Sequence, residues 1–237
     1  MGIDISRERE VSLNTDHELR LVTSIVRNPV ISNKEELTVK CTYRRTKDGD
    51  HDRDGNPFIY ALKRKNSYSI TMKELFLFSS SFKVILKKMS AGMDVDFVVG
   101  MPSSHSVVSH FGRRVAREFG ALYVGDYFSK KTVGSVLADF QLDDIPEKHK
   151  VKVKKVLSTY RKLSPTEEVS LKKVENKIRK YFEPVIANPN YAGSALTGNI
   201  LLVDDLLSTG TTLLSARKAI LSQEVTLGGA FCLLSDL

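Results

Sequence analysis

The sequence has few of the features that stabilise secreted proteins or anchor membrane proteins. Its 237 residues include two cysteines, Cys41 and Cys232, which do not have the spacing of a metal site. A low cysteine content of this kind is typical of a reducing compartment. The N-terminal segment is charged, and no apolar run reaches the length of a signal peptide or a membrane span. We therefore expect a soluble, cytoplasmic protein with no membrane partner.

Several common catalytic and metal-binding motifs are also missing. No G-x-x-x-x-G-K-[ST] loop occurs, which excludes a Walker-type nucleotide site. His105 and His110 are five residues apart, so they do not share a helix face as metal ligands, and no nearby nucleophile indicates a hydrolase triad. Residues 50–55 match the first half of an EF-hand loop, but Ala61 occupies the position that needs a bidentate glutamate. A solvated hairpin tip is expected there instead.

The most informative stretch covers residues 199–212 and reads N-I-L-L-V-D-D-L-L-S-T-G-T-T. Its apolar run at 200–203 predicts a strand buried on both faces, and the acids Asp204 and Asp205 follow directly. A short loop and an amphipathic helix complete the pattern. The loop consists of Ser208, Thr209, Gly210, Thr211 and Thr212.

The chemistry of this pattern indicates a phosphorylated sugar. A loop that opens a helix presents unpaired N–H groups and the positive end of the helix dipole, which together hold a phosphate. Gly210 lets the backbone approach the anion, and the four hydroxyls add donors. Asp204 and Asp205 cannot face the same phosphate because like charges repel, so they must address sugar hydroxyls or a metal. The alternative is a buried strand followed by an ordinary helix start.

This stretch resembles the phosphoribosyl-pyrophosphate (PRPP) binding motif of type I phosphoribosyltransferases, and every position fits that motif. The resemblance implies that Asp204 and Asp205 bind the ribose hydroxyls and contribute to catalysis, while residues 208–212 wrap the 5-phosphate. It also implies Mg²⁺ as a cofactor, held indirectly by the two aspartates through ribose hydroxyls or water. The implied reaction displaces pyrophosphate from PRPP by an unidentified nitrogen acceptor. Residues 57–63, with the Met101-Pro102 loop, also resemble in part the competence-associated phosphoribosyltransferase-like proteins, whose zinc-binding cysteine cluster this sequence lacks.

A second strand, loop and helix pattern begins at residue 96. The segment D-F-V-V-G predicts a buried strand, and a small polar loop leads from it into a helix. The resemblance implies that this loop binds pyrophosphate, whereas the alternative is a helix capped by Ser103 or Ser104. The loop residues are Met101, Pro102, Ser103, Ser104 and His105.

Residues 129–134 occupy the place where the family keeps a mobile loop that closes over PRPP. The resemblance implies that Lys130 or Lys131 neutralises the departing pyrophosphate. The alternative is a pair of lysines on a surface turn.

Apolar strands alternating with amphipathic helices predict an α/β fold with a parallel sheet covered by helices on both faces, as in type I phosphoribosyltransferases. Ligands would then bind beyond the carboxyl ends of the strands. Residues 1–70 form a predicted N-terminal unit, which by the resemblance would be the hood over the acceptor, and residues 71–237 form the core. The predicted strands are 37–45, 58–63, 96–100, 122–127, 200–203 and 226–234, and a helix is predicted at 73–89.

A basic helical insertion is predicted at about 141–195. Residues 147–183 contain twelve Lys or Arg and five Glu, so 12 − 5 gives +7 of the total charge of +8. The pattern predicts one helix near 151–163, and the capping box Ser164-Pro165-Thr166-Glu167 predicts a second helix that continues to Tyr181. The segment is either a solvated helical face or a surface for nucleic acid or a protein partner.

The substrate and the type of function are left open at this point. The hypoxanthine-guanine enzymes of the family carry an aspartate where this chain has Ser208, and a hydroxyl is a poor base, so 6-oxopurine salvage is disfavoured. The competing hypothesis is a non-enzymatic regulator that senses PRPP or a nucleotide and binds a partner through the insertion. A homodimer is compatible with either hypothesis.

Overall fold

The computed structural model describes residues 1–46, 56–221 and 225–235. Its N-terminal elements are β1 (Gly2–Ile5), β2 (Val11–Asn14), β3 (Leu21–Val22), β4 (Val30–Lys34), β5 (Leu37–Arg45), α1 (Pro57–Leu62) and α2 (Met72–Ser90). The central elements are β6 (Phe97–Gly100), α3 (Val107–Phe119), β7 (Leu122–Val124), β8 (Phe128–Lys130), α4 (Val133–Asp139), α5 (Glu147–Tyr160) and α6 (Asn176–Arg179). The C-terminal elements are β9 (Val185–Ala187), β10 (Gly198–Leu207), α7 (Thr211–Ile220) and β11 (Val225–Ser235).

A parallel sheet forms the centre of the protein. Its strands lie in the order β5-β11-β10-β6-β7, and each pairs in parallel with its neighbours. The short strands β3 and β4 pair antiparallel with the outer edge of β5. This arrangement confirms the predicted α/β fold with a parallel sheet.

The strand order reverses between β6 and β10. The chain adds β7 beside β6 in one direction, and it adds β11 beside β10 in the other. In open α/β sheets, the crevice beyond the carboxyl ends of two such strands is the usual ligand site. The loops that follow β6 and β10 are the two loops that the sequence singles out.

The sheet is covered on both faces, which explains the continuous apolar run in β10. Leu201 and Val203 pack with α2 and α3 on one face, while Ile200 and Leu202 pack with α7 on the other. All four side chains are fully buried. Strict alternation of apolar and polar residues would have left one face of this strand exposed to solvent.

The insertion has a hydrophobic core of its own. Its buried residues extend from Val133 to Phe182 and include side chains of α4, α5 and α6. The strands β8 and β9 pair antiparallel and form the neck that joins this unit to the sheet. The hydroxyl of Ser215 on α7 accepts from Val185 N at 3.0 Å and donates to Val185 O at 2.9 Å, so the neck is fixed against the core. This cluster overlaps the predicted insertion at about 141–195, whose bounds stay a prediction.

The N-terminal residues pack against the central sheet. Ile3, Val11 and Leu21 belong to the same hydrophobic cluster as α2 and α3. β5 precedes the predicted boundary near residue 70, yet it pairs with β11 and is part of the central sheet. That boundary stays a prediction, and the N-terminal unit is tied to the core through this strand.

Two predictions of secondary structure are wrong. Residues 58–63 were expected to form a strand, but α1 occupies them because Asn56 caps the helix and Pro57 suits its first turn. The capping box at 164–167 closes a turn, with Glu167 N donating to Ser164 O at 3.0 Å, and does not begin a helix. The chain then pairs with residues 131–134 and buries Val169 and Val174, so α6 is the helical part of that segment. Local pairing and burial outweigh the helical spacing there.

Other expectations of the sequence are met. α2, β6, α3, β10 and β11 lie where their patterns predict them. The EF-hand-like stretch at 50–55 lies outside the described residues. Among the described helices, none combines the length and the apolar character that a membrane crossing requires.

Candidate functional site

The two acids of the motif lie inside β10, which continues to Leu207. Successive side chains of a strand point to opposite faces of the sheet. Asp204 lies on the α7 face, opposite Cys232 of β11 in the strand register. Asp205 lies on the other face, where it contacts Lys63. The two carboxylates therefore do not form one cluster.

Asp205 is buried, and its carboxylate forms an ion pair with Lys63. Lys63 is the residue that ends α1, so the pair ties the N-terminal unit to the carboxyl end of β10. The two side chains are only 16% and 10% exposed, which means that neither charge is solvated by bulk water. Removing one partner would leave the other charge buried and uncompensated.

Asp204 is half-buried, and its environment disfavours the charged form. Burial, followed by the neighbouring negative charge of Asp205, raises the pKa of Asp204 to about 8. The backbone N–H of Asp205 donates to Asp204 Oδ1 at 2.8 Å and opposes this shift. The raised pKa means that Asp204 favours its protonated form at neutral pH.

The loop after β10 has the geometry of an anion site. Gly210 adopts a left-handed conformation with φ +80° and precedes the first turn of α7. A Cβ atom at Gly210 would lie 3.2 Å from Lys34 Cγ, so the neighbouring Lys34 side chain also favours glycine at this position. Within the described residues, no side chain caps α7. Its first N–H groups are therefore available to a ligand. Thr209 and Thr211 hydrogen bond to each other through their hydroxyls at 2.9 Å.

Ser208 and Thr212 complete this loop. Both side chains are half-buried, so each retains access to the solvent side of the loop. All five residues from 208 to 212 thus lie at the carboxyl end of β10, as the motif predicts.

The loop after β6 lies beside the first loop. Met101 N donates to Val203 O at 2.9 Å, which links the start of this loop to the residue that precedes Asp204. Met101 is buried, whereas Ser103 and Ser104 are exposed. The hydroxyl of Ser103 accepts from His105 N at 3.2 Å, and α3 begins two residues later.

The start of α3 is also open to a ligand. Within the described part of the chain, α3 has no side-chain cap, as is also true of α5 and α6, whereas Asn56, Thr71 and Thr132 cap α1, α2 and α4. The expected alternative, a cap by Ser103 or Ser104, does not occur. Both helix N-termini at the switch point thus keep unpaired donors.

Cationic side chains from several elements converge on this crevice. Burial lowers the pKa of Lys65, and the charges of Lys172, Lys63 and Lys130 lower it further, while Asp205 opposes them. The pKa of His105 is lowered by burial and by Lys65, Lys63 and Lys172, again against Asp205. Positive charges therefore outnumber the one negative charge that acts on Lys65 and His105.

The two lysines proposed for the mobile loop occupy different environments. Residues 129–134 form the end of β8 and the start of α4, where Thr132 caps the helix, so they are ordered elements. Lys130 pairs with Glu168 at 2.8 Å, and its charge reaches Lys65. Lys131 is buried and pairs with Asp139 at 3.3 Å and with Glu183 at 3.8 Å, on the insertion side. Lys130 is the one of the two whose charge acts on Lys65, whereas Lys131 pairs with acids on the insertion side.

The structure adds three site residues that sequence reasoning missed: Lys63, Lys65 and Lys172. Lys63 and Lys65 belong to the basic triplet that follows α1. That triplet was visible in the sequence, but its placement depends on α1, which was predicted as a strand. Lys172 was counted only as one charge of the insertion. His110 is exposed on α3 and takes no part in the site.

The chain was compared with known families, curated proteins and solved structures. No family model and no curated protein matches it. Similar solved structures include adenine phosphoribosyltransferase from Saccharomyces cerevisiae, with 14% identity and a TM-score of 0.35 over 70% of each chain. Those from Leishmania tarentolae and Leishmania donovani have identities of 11% and 12% and TM-scores of 0.37 and 0.39. Each match covers 99% of this chain. It covers 95% of the Leishmania tarentolae chain and 87% of the Leishmania donovani chain. Because these TM-scores are low, the assignment of the fold is based on the strand order and register described above.

Proposed function

We propose that the protein binds PRPP in the crevice between β6 and β10 and transfers its phosphoribosyl group to a nitrogen acceptor, releasing pyrophosphate. One observation carries this proposal. Two helix N-termini without side-chain caps flank the topological switch point, and the loop before one of them has the full PRPP motif. A ligand with a phosphate at each end suits two adjacent anion sites.

Each part of PRPP has a counterpart in the crevice. The 5-phosphate would bind the N–H groups and hydroxyls of residues 208–212. The ribose hydroxyls would contact Asp205, and Asp204, on the opposite face of the sheet, would act through water. The pyrophosphate would lie at residues 101–105, where Lys65 and Lys130 supply positive charge.

The carboxylates of the crevice suit a metal ion that binds together with the substrate. No cluster of three or more ligating side chains occurs in the described ranges, so the residues there do not form a complete metal cage. Mg²⁺ commonly uses one or two carboxylates, several waters and substrate phosphates. Asp205 is the carboxylate that fits this role, with Asp204 acting through water. Bound Mg²⁺ would help to neutralise the leaving pyrophosphate.

The residues of the crevice would act by positioning and by electrostatics. Loss of pyrophosphate leaves positive charge on the ribose and adds negative charge to the leaving group. Lys65 and Lys130 stabilise that negative charge, while Asp205 stabilises the ribosyl cation. The two loops fix both ends of the substrate, so the bond that breaks is held in one orientation. Lys63 must then share Asp205 with the ribose hydroxyls.

The N-terminal unit is the proposed hood over the acceptor. The Lys63–Asp205 pair places the end of α1 at the site, which supports this role. Ser208 replaces the aspartate that handles a purine proton in hypoxanthine-guanine enzymes, so the proposed acceptor is not a 6-oxopurine. The partial likeness to competence-associated proteins rests on residues 57–63 and 101–102 alone. A cytoplasmic location and a homodimer are kept as parts of this proposal.

A turnover assay tests the proposal. The protein is incubated with PRPP, Mg²⁺ and a panel of bases and amines, and released pyrophosphate is measured. We expect acceptor-dependent release in the wild type and at least about a hundredfold less in Asp205→Asn, since an electrostatic contact made in the transition state is lost. Release that is equal in the variant would count against the assignment of Asp205.

A PRPP-sensing or nucleotide-sensing regulator is the second candidate function. The observation in its favour is that Lys63 already neutralises Asp205 and that Asp204 favours its protonated form. A sensor needs the ligand to bind but does not need a charged carboxylate at the ribose. Saturable PRPP binding with no pyrophosphate release on any acceptor would favour this function.

A further inference from the structure

A cavity lies beside the crevice, between the core and the insertion, and it shares Thr209 and Thr211 with the phosphate loop. Its volume is about 690 Å³, and it opens between the turn after β4, the start of α7, and the helices α5 and α6. The residues that matter here are four lysines and two threonines. They are Lys34, Lys148, Lys177, Lys180, Thr209 and Thr211.

Lysines outnumber acids in the lining of this cavity. Glu35 is the one acid in the described lining, so the four lysines give 4 − 1 = +3. In the described part of the chain, none of the four forms an ion pair within 4 Å. Lys180 lies over the ring of Tyr181, with its Nζ 5.4 Å from the ring centroid. Lys34 contacts the phosphate loop, since its Cγ would lie 3.2 Å from a Cβ on Gly210.

The lysines come from different elements and meet only in the folded protein. Lys34 ends β4 in the core, Lys148 lies in the first turn of α5, and Lys177 lies in α6. Like charges brought together in this way repel one another. A bound polyanion removes that repulsion and adds charge-assisted hydrogen bonds.

We propose that this cavity binds a small ligand with two or more phosphate groups, such as a nucleoside polyphosphate or an inorganic polyphosphate. The volume is within the range of about 300–1,000 Å³ that small-molecule sites occupy. Lysine is a common phosphate ligand, and the hydroxyls of Thr209 and Thr211 line the same cavity. The excess of positive charge suits a short phosphate chain, which carries several negative charges at neutral pH.

The cavity favours a compact ligand over a nucleic acid. Its lysines surround one concave site from two parts of the protein, because Lys34 of the core lines the cavity together with three exposed lysines of the insertion. A nucleic-acid surface would extend beyond the cavity to other exposed lysines of α5, such as Lys154 and Lys155. Binding in the cavity would also hold the insertion against the phosphate loop, so the ligand acts on both parts at once.

The proposal does not depend on the transferase function, although the cavity shares Thr209 and Thr211 with the phosphate loop. The test therefore changes lysines that belong to the cavity alone. Binding of tripolyphosphate and of ATP is measured by isothermal titration calorimetry in the wild type and in Lys148→Ala/Lys177→Ala. The control is Lys154→Ala/Lys155→Ala, which removes the same charge from exposed positions of α5 that do not line the cavity.

We expect the cavity variant to lose at least about tenfold in affinity for tripolyphosphate, since two charge-assisted contacts are removed. The control pair should lose less than about threefold, as expected for distant, screened charges. Tighter binding of ATP than of tripolyphosphate would identify a nucleotide as the ligand, whereas equal binding would show that the phosphate chain alone is recognised. Both results support the site.

Three results would overturn the proposal. The first is the absence of saturable binding in the wild type, and the second is an equal loss in both pairs, which would indicate a diffuse surface such as a nucleic-acid face. The third is a cavity variant that no longer binds PRPP or tripolyphosphate, together with a Lys65→Ala variant that still binds both. The cavity would then be the PRPP site itself. Loss of PRPP binding in Lys65→Ala with intact tripolyphosphate binding separates the two sites.

Discussion

The ion pair between Lys63 and Asp205 joins the end of α1 to the carboxyl end of β10, and both side chains are largely buried. It links the N-terminal unit, which is the proposed hood over the acceptor, to β10, the strand that carries the PRPP motif. A buried pair of this kind holds the geometry of a site more than it stabilises the fold.

Lys63→Met should destabilise the protein by roughly 2–4 kcal/mol, because Asp205 is left as a buried charge without a partner. Lys63→Met combined with Asp205→Asn should recover most of this loss. The free energy of unfolding in urea measures both variants. Equal stability of the single and the double variant would show that the pair is not buried in solution.

The stability of the ligand-free protein should depend on Asp204. Its pKa is raised from 3.8 to about 8 by burial and by Asp205. Between these values the unfolded chain releases a proton that the folded protein keeps, so the free energy of unfolding falls as the pH rises through this window. Asp204→Asn removes this effect and should be more stable than the wild type at pH 8 by at least about 1 kcal/mol. Parallel urea stability curves for the two proteins from pH 5 to pH 8 would contradict the raised pKa.

Gly210→Ala should affect both stability and ligand binding. Its φ of +80° is unfavourable for alanine, and the new Cβ would contact Lys34. Gly92→Ala is the matched control, since Gly92 has φ +71° and no described atom lies within 4 Å of its Cβ position. Both variants should lose about 1 kcal/mol of stability from backbone strain. Only Gly210→Ala should also weaken the binding of ribose 5-phosphate in calorimetry, and an equal effect of both would argue against the loop as the phosphate site.

Lys130→Ala and Lys131→Ala should have different effects although the residues are adjacent. Lys131 is buried and has two acidic partners, so its loss should lower the melting temperature. Lys130 is the one whose charge acts on Lys65 of the proposed site, so its loss should weaken the binding of pyrophosphate by about threefold to tenfold with little change in stability. Thermal unfolding and pyrophosphate titration distinguish the two, and the reverse pattern would place Lys131 in the site.

The sequence was sufficient for the parts of the fold that local pattern determines. The apolar run at 200–203 and the glycine at 210 each have a single good structural explanation, and both were located correctly. The sequence did not predict that Asp204 and Asp205 lie on opposite faces of the sheet. This placement arises because β10 continues beyond residue 203 and includes both acids. The role of Lys63 depends on α1, whose cap by Asn56 was overlooked. Lys65 and Lys172 meet only through tertiary structure, which no local spacing reports.

The central claim is that two adjacent loops hold the two ends of one ligand. Calorimetric titration of PRPP, ribose 5-phosphate and pyrophosphate, each with Mg²⁺, tests it most directly. Because PRPP contacts both loops at once, it should bind at least about tenfold more tightly than either fragment. Fragment affinities equal to that of PRPP, or no saturable binding of PRPP, would contradict the account.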